Sequence, residues 1–314
     1  MTATTISLLE PVQRASTSDV VMAAGDIVAA VDGSPDSVAA LQTAFALSTS
    51  RKCGVHVVSV IPPMDSYRFG PEVEESPSEI DALRINMREA TILRLVGRLN
   101  VDGEWDHSIV VGRVARDVVA VAEQRNAALI VVGKRRQTPL DKLLGGETIL
   151  DIVRMTSIPV LAVEKPFRAP RCVVVATDFS PSTTRVARMA LELAGDGGTM
   201  YLAHVDAGAD PELEQFSTRE RRHFPGTFSR LFKNQVDEIR PGPRVSVETV
   251  TLSGKPADEI VRLAERTSAD LIACGPHGHN GLERFLLGSV STSIIRNSPC
   301  ALLIAPRDSA RGKS

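Results

Sequence analysis

The sequence predicts an α/β protein built twice, with two tandem domains, each a five-stranded parallel sheet carrying helices on both faces. Three observations predict it. The 314-residue chain is about twice the ~150 residues of an ordinary domain. Short apolar runs without polar alternation are separated by longer amphipathic stretches, the pattern of parallel strands buried on both faces and joined by helices. Finally, the chain repeats itself in order. Residues 26–35 (DIVAAVDGSP) resemble 172–181 (CVVVATDFSP), with Asp178 146 residues after Asp32 (178 − 32). Residues 112–119 (GRVARDVV) resemble 254–261 (GKPADEIV), with Gly254 142 residues after Gly112 (254 − 112). The pairs 128–133 with 270–275 and 140–144 with 282–286 keep that second offset. Such units are Rossmann-like, with right-handed crossovers.

In the first unit, strands are expected at Ile27–Val31, Val55–Val60, Asp106–Val111, Leu129–Val132 and Val160–Val163. Helices are expected at Asp36–Ser50, Pro77–Leu99, Val114–Arg125 and Glu147–Arg154. The second unit repeats this with strands near Val173–Ala176, Met200–Val205, Val245–Thr251, Leu271–Cys274 and Ala301–Ile304. The expected boundaries are a polar tail over 1–24, a first domain over 25–165, a Pro-flanked linker and a second domain over 170–307. The stretch 206–244 is long and polar. Within it Phe228, Leu231, Phe232 and Val236 form a helical face expected to pack on its own domain.

Composition narrows the function classes. The chain has 36 basic and 38 acidic residues, a net charge of −2, which argues against a broad footprint for nucleic acid or an anionic membrane. Aromatic residues at 4% make a poor stacking platform for single strands. No apolar run reaches the ~18 residues of a membrane span, and the N-terminus lacks the basic and apolar segments of a signal peptide. Cys53, Cys172, Cys274 and Cys300 are widely spaced and form no CxxC, so reduced thiols in a cytoplasmic protein are expected. No residue set has metal-ligand spacing.

Chemistry is expected beyond the carboxyl ends of the strands, where an open parallel sheet binds its ligands. There the second unit runs into Gly275-Pro276-His277-Gly278-His279-Asn280-Gly281, followed by Gly288-Ser289 at the start of an amphipathic stretch. Glycines let a backbone approach phosphate closely, and the amides at a helix start point at the anion. No Walker A loop and no GxGxxG occur. Taken alone, Asp178 reads as a turn-forming residue or N-cap ahead of Ser180-Pro181. His277 and His279 read as decorating the loop, His204 and His56 as structural.

The spacing Gly275-x2-Gly278-x9-Gly288-Ser289 is similar to the G-x2-G-x9-G-[ST] signature of the ATP-binding branch of the universal stress protein family. Val175 to Ser180, His204-Val205, Gly254 to Ala257 and Arg296 to Cys300 also resemble segments of that family, in order. The chain thus resembles a tandem-type universal stress protein over both units. The resemblance implies an adenine nucleotide site in the second unit, for ATP with or without Mg2+. Asp178 would lie at the adenosine and Val205 would offer backbone groups to the adenine edge. Gly254 would line the pocket, and Gly275, Gly278, Gly288 and Ser289 would hold ribose and phosphates. No catalytic residue is assigned.

The first unit departs from the signature. Asp32, Gly112, Gly133 and Gly146 match, but Arg136 stands in the place of Gly278 and Glu147 in that of Ser289. A carboxylate at a helix start fills the anion slot from within, so the first unit is expected to bind ATP weakly or not at all. Lys134-Arg135-Arg136 offers the opposing possibility of rescuing charge. The resemblance also implies pairing of the last strands, Val160–Val163 and Ala301–Ile304, and a homodimer through last-strand or domain surfaces. The expected function is an ATP-binding regulatory protein of the stress response. The alternatives are a slow ATPase or (auto)phosphotransferase, and a nucleotide-free protein-interaction module.

Overall fold

The structure is a computed structural model and describes residues 22, 24–63, 77–99, 101, 103–134, 147–206, 227–275 and 287–305. The described chain separates into two compact units that meet between Arg168 and Ala169. The N-terminal unit contains β1 (Ile27–Ala30), α1 (Pro35–Arg51), β2 (Val55–Ile61), α2 (Pro77–Leu99), β3 (Trp105–Val111), α3 (Val114–Gln124), β4 (Leu129–Gly133), α4 (Glu147–Met155) and β5 (Val160–Val163). The C-terminal unit contains β6 (Cys172–Ala176), α5 (Pro181–Leu193), β7 (Gly198–Asp206), α6 (Thr227–Ile239), β8 (Val245–Ser253), α7 (Pro256–Arg266), β9 (Leu271–Cys274), α8 (Ser289–Asn297) and β10 (Ala301–Ile304).

Local chemistry sets the element ends. Ser34 caps α1 by accepting from the Ser37 amide at 3.3 Å, and Pro35 opens the helix with its φ already set. Lys52 ends it in the left-handed region at φ 55°. Ser180-Pro181 opens α5 in the same way, although the Ser180 side chain does not bond the helix backbone.

Strand order is β3-β2-β1-β4-β5 in the first unit and β8-β7-β6-β9-β10 in the second, with every pairing inside each unit parallel. Order reverses between β1 and β4, and between β6 and β9. The central strands are sealed on both faces: Ile27, Leu129, Ile130 and Leu161 in one unit, and Val174, Ile272 and Leu302 in the other, have no exposed surface. Burying each such side chain stabilises by about 1.5–3 kcal/mol, and sealing on both faces explains the unbroken apolar runs.

The repeat survives at single-residue resolution. Val28 pairs with His56 and His56 with Asp106, while Val174 pairs with Tyr201 and Tyr201 with Glu248. β7 and β8 run longer than expected, closing on an Asp206–Ser253 pair. The buried face of α6 also differs from the expected one. Phe232, Gln235 and Ile239 are buried, whereas Leu231 and Val236 are half-buried, so the face includes an amide.

Candidate functional site

In the C-terminal unit the described candidates gather at the carboxyl ends of neighbouring strands. Asp178 follows β6, Val205 is the penultimate residue of β7, Gly254 follows β8 and Gly275 follows β9. β6 lies between β7 and β9, so Asp178 stands at the switch in strand order with Val205 on one side and Gly275 on the other. Gly254 lies one strand further out, its amide donating to the Asp206 carbonyl at 3.3 Å. Gly278, His277 and His279 lie outside the described residues, as do Arg136, Gly146 and the run Arg219–His223.

The two carboxylate oxygens of Asp178 have different surroundings. Its Oδ1 accepts from the Ser180 amide at 3.0 Å and from the Thr183 hydroxyl at 3.2 Å, forming the turn into α5. Its Oδ2 is buried and has no hydrogen-bond partner among the described residues. A buried polar atom left unpaired costs about 1–3 kcal/mol, so this oxygen is an acceptor awaiting a donor.

The floor beneath Asp178 is polar and locked. The Thr177 hydroxyl accepts from the Phe179 amide at 2.9 Å and donates to Gln235 Oε1 at 2.8 Å. Gln235 Nε2 donates to the Thr183 hydroxyl at 3.2 Å. Thr177, Thr183 and Gln235 are all buried. Sequence reasoning missed this trio. The signal was Gln235 at the spacing of Phe232 and Ile239 on one helical face.

Phe179 adopts φ +63°, a left-handed conformation that costs a side-chain-bearing residue about 1–2 kcal/mol. Its ring packs 4.6 Å from His204, 4.9 Å from Phe232 and 6.2 Å from Phe228, centroid to centroid. His204 Nδ1 donates to the Thr177 carbonyl at 2.9 Å, tying the end of β7 to that of β6. The structural reading of His204 therefore accounts for its position.

The glycine-led helix start has its own support. Gly288 is the N-cap of α8 and supplies no side-chain cap, leaving the first-turn amides to other acceptors. Ser289 is exposed on that first turn. Ser291, unmarked in the sequence, is buried and donates to the Gly275 carbonyl at 2.7 Å. That bond fixes the end of β9 against the first turn of α8.

The glycines divide by what requires them. A Cβ on Gly275 would meet Ser182 Oγ at 3.6 Å and Thr183 Cγ2 at 3.7 Å, ordinary contacts. Packing within the described protein thus does not demand glycine there. At Gly133, the counterpart in the N-terminal unit, a Cβ would come within 2.6–2.9 Å of the Asp36–Ser37 backbone, so packing alone demands glycine. Gly254 has φ +133°, which itself favours glycine.

The N-terminal unit fills the matching region with charge. Asp32 accepts from the Ser34 amide at 2.9 Å. Although it reaches solvent, partial burial pushes its carboxyl up. Hydrogen bonds from Ser34 and Ser37 and the Arg88 charge outweigh that and hold it below the ordinary value. Arg88 comes from α2 and donates to Ser59 at 3.0 Å. By register Ser59 is the counterpart of His204. Lys134 is buried and sits 3.3 Å from Glu164, so this member of the basic run is a core ion pair and not a solvated phosphate contact.

Comparison with known proteins decides the family. The model of the universal stress protein family matches residues 24–164 and 171–306. The chain belongs to the universal stress protein family, with two copies of its domain in tandem. Universal stress protein Rv1996 of Mycobacterium tuberculosis is 27% identical over 312 residues, covering 90% of this chain and 96% of that one. Universal stress protein MJ0531 of Methanocaldococcus jannaschii is 48% identical over 142 residues, covering 43% of this chain and 81% of that one. Among solved structures, a universal stress protein from Archaeoglobus fulgidus covers 90% of this chain and 98% of its own at a TM-score of 0.65 and 18% identity. That likeness shows the fold. As a universal stress protein the chain is α/β and tandem, and no helix among its described residues is long and apolar enough to cross a membrane.

Proposed function

We propose that this universal stress protein is an ATP-binding regulatory protein whose nucleotide is held in the C-terminal unit. One observation carries the reading: Asp178 Oδ2, buried and unpartnered among the described residues, at the switch in strand order. A ribose hydroxyl is a donor of the right kind for it. The first turn of α8, to which Gly288 gives no side-chain cap, and the Ser289 hydroxyl suit an anion, since backbone amides and the helix dipole favour negative charge there. Val205 and Gly254 would border the base and ribose, and Gly275, Gly278 and Gly288 would admit the phosphates closely. ATP, with or without Mg2+, would supply a donor to Asp178 Oδ2 and an anion to the first turn of α8, and occupancy would bias the surface offered to a partner protein.

The test is calorimetry of ATP binding to the full chain and to Asp178→Asn and Gly278→Val. Binding to the parent, weakened in both variants, supports the reading; equal affinity in all three overturns it. Nucleotide released from protein purified without added ATP gives an independent check. Sustained turnover of Mg-ATP would replace the binder by an ATPase.

A further inference from the structure

The N-terminal unit holds a second cluster of reactive groups, near the amino ends of its strands and away from their carboxyl ends. His56 on β2 is buried, with its side chain 1% exposed. Its Nδ1 lies 2.5 Å from Asp106 Oδ1, and its Nε2 lies 2.9 Å from the Ser108 hydroxyl. Arg125, at the end of α3, holds the other Asp106 oxygen at 2.6 Å. The order is arginine, carboxylate, imidazole, hydroxyl, with carboxylate and hydroxyl on opposite ring nitrogens. That is the arrangement by which a carboxylate orients an imidazole as a base for a serine.

The fold does not require this chain of groups. The same three register positions in the C-terminal unit carry Tyr201, Glu248 and Val250. Packing and sheet geometry are satisfied there without imidazole or hydroxyl. The sequence gives no warning of the cluster, because His56 is about fifty residues from its partners and only parallel pairing of β2 with β3 unites them.

Access comes from the sheet edge. β3 is an outer strand of its unit, and Ser108 is half-buried rather than sealed. Val55 donates to Glu104 and Gly112 donates to Ile61, so even-numbered residues of β3 direct their amides to β2. The Ile109 amide, next to Ser108, is therefore on the outer side, where a donor for a developing oxyanion is needed.

We propose that Ser108 is a nucleophile toward small activated acyl esters, with His56 as its base and Asp106 and Arg125 as positioning residues. The Ser108 oxygen bonds to the acyl carbon while its proton passes to His56 Nε2. The bond from carbon to the leaving alkoxide breaks, and the alkoxide takes the proton from His56. Water then attacks the acyl-serine and gives His56 a proton, which returns to the departing Ser108 oxygen. Acid, alcohol and free enzyme result. Toward a fluorophosphonate, the same attack breaks the P–F bond, releases fluoride and leaves a stable phosphonyl-serine.

The experiment is to treat the full chain with a fluorophosphonate probe and to follow each serine by peptide mass spectrometry. Ser108 is expected to react at least about tenfold faster than the other serines, and the adduct to vanish in Ser108→Ala. Loss of a general base is expected to slow labelling by about 100-fold or more in His56→Gln. Because His56 is buried, Asp106→Asn at the half-exposed partner provides a second variant. It is expected to slow labelling together with loss of a downfield imidazole N–H resonance, a signature of the Asp106 bond that general loosening of the edge does not mimic. Release of nitrophenol from p-nitrophenyl acetate should fall in the same order. Labelling of Ser108 no faster than of Ser246, or at an unchanged rate in both His56→Gln and Asp106→Asn, overturns the proposal.

Discussion

At equivalent turns the two units solve one backbone problem with opposite residues. Gly33 and Phe179 both adopt positive φ, at 87° and 63°, between the first strand and first helix of their units. Glycine does so freely, whereas phenylalanine bears strain and recovers it by packing on His204, Phe228 and Phe232. Across from Gly33, α2 instead brings Thr91, whose methyl would lie 3.3 Å from an added Cβ, and Arg88. The acids nearby follow suit. Asp32 is held by hydrogen bonds from Ser34 and Ser37, with the Arg88 charge adding to them from within its own unit, whereas Asp178 retains an oxygen unpaired among the described residues. The two units share a scaffold but differ in the helix after the second strand, which brings the Arg88 charge to bear on Asp32 in one unit, while Asp178 of the other keeps an acceptor unpaired among the described residues.

The comparison can be broken most directly at the phosphate loop. Gly278→Val should lower ATP affinity of the full chain about 100-fold or more, the loss of two charge-assisted hydrogen bonds, with the circular dichroism spectrum unchanged. An equally large loss from Arg136→Gly, which restores glycine in the first unit, would invert the comparison. Next come the paired glycines. Gly133→Ala should destabilise by about 2–3 kcal/mol in urea unfolding, because its Cβ collides with backbone. Gly275→Ala should cost under about 1 kcal/mol, because its Cβ finds ordinary contacts. Nucleotide affinity should respond in the reverse order. Phe179→Gly should destabilise by about 1–2 kcal/mol, ring packing lost against backbone strain relieved, while a stabilised variant would show that the aromatic cluster does not offset the strain.

The smallest expected effect is a pH dependence. Asp32 and Asp106 both have folded-state values below the ordinary 3.8. For Asp106 burial pushes upward, and hydrogen bonds from His56 and Arg125 with their charges outweigh it. A lowered carboxyl favours the folded state at pH above 3.8, and that contribution is lost as pH falls through the lowered values. Unfolding midpoints of the parent should therefore drop in that acid range. Asp32→Asn and Asp106→Asn should each flatten the drop.

Much of the fold was legible in the residues. Parallel strands sealed on both faces must be continuous apolar runs, and helices that cover them must be amphipathic, so Leu271–Cys274, Ala301–Ile304 and Pro77–Leu99 fall where they were read. Element ends were less legible, since β7 and β8 gain length from pairing with each other at Asp206 and Ser253. Of the proposed site, Gly275, Gly288 and Ser289 were marked by their spacing, and Asp178, Val205 and Gly254 by the resemblance to the universal stress protein family. Ser291, Gln235 and Thr177 were not, because their hydrogen bonds run to carbonyls and hydroxyls remote in sequence. Lys134 read as part of a basic run able to rescue phosphate binding because its partner, Glu164, lies across a strand pair.

By itself the sequence determined the duplication, the parallel α/β architecture and the family. These follow from periodicity and ordered spacing, which are properties of the chain taken a few residues at a time. Only the tertiary structure decided which Asp178 oxygen is spent on the turn and which is left over. It also decided that Arg88 of α2 reaches Ser59, and that His56, Asp106 and Ser108 meet across two strands. Each of those outcomes depends on which remote groups parallel pairing and helix docking bring within about 3 Å, the range over which a hydrogen bond is made or missed.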